Sequence, residues 1–494
     1  MTSTHRLPLS EKIGYSLGDL AANLIFQTLI TFLAFFYTDI YRIPAGTAAT
    51  LISVVGLFGA LVFTPLVGVL ADRTRTRWGK FRPWILWTAL PFGAISLLAF
   101  STPALSEQGK VVYAFTTYTL LVLIYVANNL PYSALSGVLT GSMEQRNSLS
   151  AYRFFAVTIA QFVIQVLLLP LVLILGNGDK AQGFQRTMAL FAVVGTLCFL
   201  ITFLTTRERV LPIAAEPSSV RKDLGDLVRN KPWLVMLALT ILVFVNLAMK
   251  GGMYVYYFKY YLDAAALTRF LDQAGFNGFI AGINGLLASA GLTALHWPQD
   301  APTSAFSVFS AGGILAMIVG IGCSKRLADR YGKRNVFGAA LLVSTLFLLA
   351  FAVYPPQAIG LVFGSYVLHG FFYGITIPLL WAMIADVADY SEWKNHRRAT
   401  AIIFSAMLCG LKVGLSVGGA LVAGLLAFYG YDAALPQQSA AVTGGIRLAV
   451  SVYCAIPFLL GVALLFLYEI DKALESRIER DLDTRRLQAA ALGN

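Results

Sequence analysis

The chain has 494 residues, 57% of them hydrophobic and 13% charged, with a formal net charge of +12. Soluble domains carry roughly a quarter charged residues, so this composition excludes a water-soluble globule. Nucleic acid is excluded as the meaning of the positive charge, because the Lys and Arg residues fall in alternate breaks between apolar runs and not along one face.

The apolar runs are about 20 or more residues long, enough to cross a hydrocarbon core about 30 Å thick as helices. In chain order they predict twelve spans, at roughly 13–38, 46–70, 83–102, 111–138, 152–175, 186–205, 232–262, 305–324, 335–354, 358–385, 400–428 and 443–468. The opening "MTSTHRLPLSEK" is polar and runs directly into the first of them, without a short apolar core and a small-residue cleavage site. The first span is therefore expected to stay in the mature chain. Most of the Lys and Arg residues lie at the N-terminus, in the breaks after even-numbered spans and in the C-terminal tail, which places both termini in the cytoplasm. The expected location is a bacterial inner membrane, with the lipid bilayer as the surrounding partner. The cysteines Cys198, Cys323, Cys409 and Cys454 stand singly in apolar runs without CxxC spacing, so they read as buried small hydrophobes, with no metal or cofactor implied.

The predicted fold is all-α, with two six-helix bundles over 1–205 and 232–468, a polar cytoplasmic linker over 206–231 and a cytoplasmic tail over 469–494. An outward-facing insertion at about 263–304, containing "FNGFIAGINGLLASAGL", reads as a cap, a re-entrant segment or a plain surface insertion. The string "LADR" follows the second span at Leu70–Arg73 and the eighth at Leu327–Arg330, trailed by Gly79-Lys80 and Gly332-Lys333. The same string at the same place in each half predicts an internal repeat, the device by which many transporters build two bundles that rock about a central site. Asp72, Arg73, Arg77 and Lys80 in the first loop, and Asp329 and Arg330 in the second, are the candidate gating residues. Asp386 and Asp389, three apart on one helix face at the inner end of the tenth span, are candidates to pair with such basic loops, or else to act as a static topological anchor.

"DRTRTRWGKFRPWIL" (72–86) together with "EKIGYSLGDLAANLIFQ" (11–27), "FFYTD" (35–39), "NNLPYSAL" (128–135), "YRFF" (152–155) and "MIADVADYSEWK" (383–394) resembles the glycoside–pentoside–hexuronide:cation symporters of the major facilitator superfamily. The resemblance implies alternating-access movement of a sugar or glycoside with a co-transported cation. Position by position, the sodium-coupled members' two acids on the second span fall on Ala60 and Thr64, and their acid on the fourth span falls on Asn129. Their sugar-binding acid on the first span falls on Asn23, and their tryptophan on the fourth span on Ser133. The arginine of the fifth span is kept as Arg153, and the lysine of the eleventh as Lys412. Ala60, Thr64 and Asn129 supply no carboxylate for a dehydrated sodium ion. Asn23 and Asn129 still donate and accept hydrogen bonds with sugar hydroxyls.

Ionisable groups within spans are costly and thus functional candidates. Lys412 lies well inside its span. Arg153 reads as a substrate contact or as an inner-face anchor. Asp19, Asn23 and Gln27 share one helix face at four-residue spacing, and Asp19 either pairs with a cation or braces its own neighbourhood. Lys250 is also mid-span, whereas Lys259 and its neighbouring tyrosines read as an interfacial belt. His369, inside the tenth span, is a candidate proton carrier or a packed, hydrogen-bonded histidine. Thr64 is the other, weaker coupling candidate. Trp381, Tyr125 and Tyr132 are candidate stacking surfaces for a sugar ring, against ordinary packing.

The expected function is secondary transport of a sugar or glycoside, with excess cations tilting it toward an acidic sugar such as a hexuronide, and with a proton rather than sodium as the coupled ion. The rival readings are a lipid or lysolipid carrier and an uncoupled sugar facilitator. A membrane enzyme is not expected, since the chain has no H-E-x-x-H, no Gly-x-Ser-x-Gly elbow and no nucleotide-binding loop.

Overall fold

A computed structural model describes residues 7–140, 143–209, 230–289, 297, 298, 300–395 and 400–492. Most of the expected linker and part of the insertion lie outside these residues.

Among the described residues, eleven helices are long and apolar enough to cross a membrane: Leu9–Ile40, Ala45–Ala71, Glu107–Leu139, Ser148–Gly176, Lys180–Thr205, Lys231–Tyr261, Ala301–Tyr331, Lys333–Ala350, Ile359–Lys394, Ile403–Phe428 and Ala440–Leu465. The remaining expected place, the third, is held by the helix Arg82–Ala99. Its first turn contains Arg82 and Pro83, which shortens its apolar stretch. These helices are called spans 1 to 12 below. Several run further than the apolar pattern predicts. Both "LADR" strings lie on helix, at the ends of spans 2 and 8, and Asp386 and Asp389 sit within span 10 and not beyond it. The described part of the insertion is two short helices, Ala264–Gln273, capped by the Asp263 carboxylate on the Ala266 amide, and Phe276–Ser289, which buries none of its residues.

Among the described residues, five π-helical turns interrupt the spans, at Phe36–Ile40, Gly59–Phe63, Val163–Leu167, Tyr257–Tyr261 and Ala449–Tyr453. Such turns cluster at functional sites, and two of them carry charged residues discussed below.

Packing divides the chain into two compact units. One comprises Met1–Ala214, Gly251–Ala311 and Gly419–Gly445; the other comprises Ala215–Lys250, Gly312–Gly418 and Ile446–Asn494. Four of the boundaries between them coincide with the chain's Gly-Gly pairs: Gly251-Gly252, Gly312-Gly313, Gly418-Gly419 and Gly444-Gly445. Paired glycines are where a helix bends most readily, because each lacks the side chain that stiffens the backbone.

In the first unit, spans 1, 4 and 6 approach closely. A Cβ on Gly14 would collide with Thr205, and one on Gly18 with the Tyr132 ring. In the second unit, span 8 meets span 10 backbone to backbone. The Gly370 position faces the Gly313 carbonyl and the Gly374 position the Met317 carbonyl, so small residues here set the interhelical distance.

Candidate functional site

Span 1 places Asp19 and Asn23 one turn apart, and both are buried. Asn23 Nδ2 donates to the Asp19 carbonyl at 2.9 Å and to Asp19 Oδ1 at 3.4 Å. From span 5, Arg153 Nε donates to Asp19 Oδ2 at 2.8 Å. The guanidinium lies 5.7 Å from the Tyr15 ring and 5.3 Å from the Tyr132 ring. Those two rings stack at 4.7 Å and lock spans 1 and 4 reciprocally, Tyr132 donating to the Tyr15 carbonyl at 2.6 Å and Tyr15 to the Tyr132 carbonyl at 3.2 Å. Arg153 is therefore held by its Nε edge and by the ring pair. Among the described residues Nη1 and Nη2 carry no hydrogen bond, and the side chain is 27% exposed. A guanidinium held this way offers its two-pronged end to a carboxylate or to a pair of hydroxyls.

The other sequence candidates of this unit are arranged differently. Gln27, one turn beyond Asn23, is half-buried, as is Asn129, whose neighbour Asn128 is the fully buried member and donates to Thr88 Oγ1 at 2.8 Å. Thr64 donates to the Gly59 carbonyl at 3.0 Å across the π turn, and Ala60 is enclosed within that turn. Tyr132 is fully enclosed, so it presents no face to a sugar; Tyr125 stacks on Phe26 at 5.5 Å. The expected excess of cations is reduced here, because Asp19 balances Arg153.

In the second unit, Lys412 on span 11 and Trp381 on span 10 are both half-buried. The unexpected feature is Lys250, 7% exposed, whose Nζ lies 2.7 Å from Nε2 of the fully buried His369. The other ring nitrogen, Nδ1, faces the Ser344 carbonyl at 3.0 Å and the Ser344 hydroxyl at 2.8 Å. The imidazole is stacked between Tyr366 and Tyr373 on its own helix, and Lys250 Nζ sits 4.6 Å from the centre of the Tyr373 ring. Spans 7, 9 and 10 thus converge on one buried basic cluster. The apolar surroundings of Lys250 and His369 in sequence give no sign that they meet.

The basic loops after spans 2 and 8 are tied by the segments that follow spans 6 and 12. Glu208, after span 6, accepts from the backbone amides of Lys80, Phe81 and Arg82 at 2.8, 2.7 and 2.9 Å, which caps the positive end of span 3. Arg209 pairs bidentately with the buried Glu11, both bonds at 2.8 Å. Gly79 adopts φ +112°, a turn conformation that a side chain would strain. Arg73 and Arg77 are exposed, Arg77 lying 4.7 Å from the Trp78 ring, and Lys80 lies 4.9 Å from the Phe81 ring. The side chain of Asp72 is outside the described residues. In the second unit the helix Lys472–Leu492, after span 12, plays the corresponding part. Lys472 donates to the Asp329 carbonyl at 2.7 Å and the Arg330 carbonyl at 3.3 Å, and Arg330 leans on the Tyr331 ring at 5.2 Å. Lys333 pairs with Asp386 at 2.6 Å and with Glu475 at 2.9 Å, whereas Asp389 is exposed.

One cluster escaped the sequence reading. Asp39, on the π turn ending span 1, is an acceptor for Lys259 on the π turn ending span 7, for the Tyr260 hydroxyl at 2.6 Å and for the Tyr431 hydroxyl at 2.7 Å. Burial, reinforced by Asp39, holds the Tyr431 phenol far above its ordinary pKa, so it remains a donor. Lys259 and Tyr260 are therefore parts of a polar clasp and not simply an interfacial belt. The aspartate of "FFYTD" was the available signal.

The description "MFS/sugar transport protein" fits residues 14–293 and 301–472 of the chain. A putative glycoside/cation symporter of Escherichia coli (strain K12) is 34% identical over 475 residues, covering 96% of this chain and 94% of that protein. The isoprimeverose transporter of Lactiplantibacillus pentosus is 32% identical over 498 residues, covering 99% and 94%. A mutant of the nucleoside transporter NupG, 15% identical, superposes with a TM-score of 0.63 over 92% of this chain and 99% of that one, which shows the shared fold. Joined to the helical architecture above, these likenesses settle the identity: the chain belongs to the MFS/sugar transport protein family, and within it to the glycoside–pentoside–hexuronide:cation symporters.

Proposed function

We propose that this symporter carries a sugar or glycoside bearing an acidic group, coupled to protons rather than sodium. The observation that supports substrate binding is the Asp19–Asn23–Arg153 cluster. It joins a carboxylate, an amide and the unoccupied prongs of a guanidinium in one partly exposed place, the mixture of acceptors and donors that a polyhydroxylated ring requires. Gln27 and Asn129 are assigned to the same substrate. Lys412 and Trp381 are assigned to substrate binding on the family resemblance alone, Lys412 as the cation that favours an acidic substrate. Coupling by protons is supported by the residues that replace the sodium-site acids. Ala60 brings no ligand, and the hydroxyl hydrogen of Thr64 is used within its own helix.

The test is uptake into vesicles of a radiolabelled methyl glucuronide and of isoprimeverose, under imposed proton or sodium gradients. Lys412→Ala is expected to abolish glucuronide uptake and to spare the neutral sugar. Equal loss of both overturns the acidic assignment, and strong sodium stimulation overturns the coupling assignment. Transport of neither sugar, with exchange of a labelled lysolipid in their place, returns the reading to the lipid carriers of this fold.

A further inference from the structure

The geometry points to the Lys250–His369–Ser344 cluster as the site where the transported proton binds. This inference rests on the proton coupling proposed above, and it names a place for the proton in the second unit, on residues other than those that align with the acids of the sodium-coupled relatives.

The cluster can hold one proton or none. An ammonium only donates, so with Lys250 charged the Nε2 of His369 accepts and Nδ1 carries the ring hydrogen, facing the Ser344 carbonyl at 3.0 Å and the Ser344 hydroxyl at 2.8 Å. With Lys250 neutral, the same 2.7 Å bond can run in either direction, because the amine both donates and accepts and the Ser344 hydroxyl can donate to Nδ1. A proton taken from water converts the Lys250 amine to an ammonium that His369 solvates; its return to water leaves two neutral bases in the same hydrogen bond. A second proton, on Nε2, would set two positive charges 2.7 Å apart in a site of low polarity, which is strongly unfavourable.

The facing groups do not fix the charge. From span 10 the Tyr366 and Tyr373 rings enclose the imidazole, and from span 12 the buried Cys454 thiol lies near Lys250. Asn246, on the lysine's own helix, spends its amide on the Cys454 carbonyl. No carboxylate among the described residues forms an ion pair with Lys250. An ammonium buried without a counter-charge is costly, so its charge is poised to be lost and regained.

The location suits a coupling role. Lys250 directly precedes Gly251-Gly252, where span 7 passes from one compact unit to the other, and Tyr366, stacked on His369, packs where a Cβ on Gly313 would stand. The charge therefore changes beside two of the paired-glycine bending points.

Two measurements on the full chain test this. First, the protein labelled with 15N-histidine is titrated from about pH 5 to about pH 10, the span over which free imidazole and free amine titrate. His369 is expected to respond in a single step that Lys250→Met removes; an unchanging His369 overturns the site. Second, uptake of the glucuronide and of isoprimeverose driven by a proton gradient is compared with their gradient-free exchange in Lys250→Arg. The guanidinium keeps the positive charge but does not release its proton. Driven accumulation is expected to fall at least tenfold while exchange persists, which also shows that the variant folds. A parent driven only by sodium overturns the coupling reading itself, whereas a proton-driven parent whose Lys250→Arg variant is still driven overturns this site alone.

Discussion

Arg153 and Lys250 are both cations inside a membrane protein, and their surroundings differ in a way that separates two jobs. Arg153 is balanced by Asp19, fixed through one nitrogen and seated beside two locked tyrosines, with its outer prongs unbonded among the described residues. Its charge is permanent and its position rigid, as recognition of a ligand requires. Lys250 faces a neutral base, has no paired carboxylate among the described residues and adjoins a Gly-Gly pair. Its charge is conditional and its helix pliable there. A cation that recognises a ligand needs a partner to hold it still, and a cation that carries a proton needs a neighbour that tolerates both of its states.

The largest effect should come from removing the guanidinium geometry while keeping its charge. Arg153→Lys retains a cation near Asp19 and loses both the planar edge held by Asp19 and the two prongs beyond it. Uptake of either labelled sugar is expected to fall about a hundredfold, corresponding to about 2.7 kcal/mol of lost stabilisation in the transport step. Melting of the purified protein should change little, since the tyrosine pair that locks spans 1 and 4 does not depend on Arg153. Wild-type uptake by Arg153→Lys would remove Arg153 from the recognition side of the comparison.

The helical architecture was legible in sequence because membrane physics writes it in long runs: apolar stretches give the spans. The Asp19 face was legible too, since i and i+4 positions on a helix must coincide. What brings Arg153 to Asp19 is packing between spans 1 and 5, which no local pattern encodes, and the family resemblance supplied only the importance of Arg153. Lys250 and His369 are 119 residues apart. Each looked like an isolated charge because their meeting depends on how spans 7 and 10 pack. Lys259 was misread for the same reason: an apolar helix end rich in tyrosine fits an interfacial belt, and only the fold reveals that Asp39 lies against it. Glu208, three residues past span 6, reads as ordinary loop charge until three amides are seen to converge on it.

A smaller effect would sharpen the distinction by charge alone. Asp19→Asn keeps an oxygen to accept from Arg153 Nε and removes the compensating charge. Arg153 is then held less firmly but offers an unbalanced positive field to its ligand. A neutral glycoside should bind about tenfold more weakly, corresponding to about 1.4 kcal/mol, while an acidic one loses less or gains. Measured as apparent affinities of isoprimeverose and methyl glucuronide in exchange, the two substrates should diverge. Parallel losses would mean that Asp19 acts on both substrates only as a hydrogen-bond acceptor and that its charge does not tune the field of Arg153.

The smallest expected effect tests the pliable side of the comparison. Alanine in place of glycine favours a helix by about 1 kcal/mol, and at Gly251 the added methyl fits, its nearest neighbours being Ile30 Cγ2 at 3.6 Å and Thr31 Oγ1 at 3.7 Å. Gly251→Ala should therefore raise the melting temperature slightly and leave the apparent affinity for either sugar unchanged. If span 7 bends beside Lys250 during each cycle, that same stiffening slows the cycle several-fold, and the maximal rate of uptake falls while stability rises. Gly313→Ala cannot make this distinction, because its Cβ would lie 2.2 Å from the Tyr366 ring and any loss would include a packing clash. Opposite changes in stability and rate at Gly251 would show that the glycine is kept for motion. A stabilised chain with an unchanged rate would show that span 7 moves as a rigid rod, and that the charge on Lys250 reports the cycle without bending the helix that carries it.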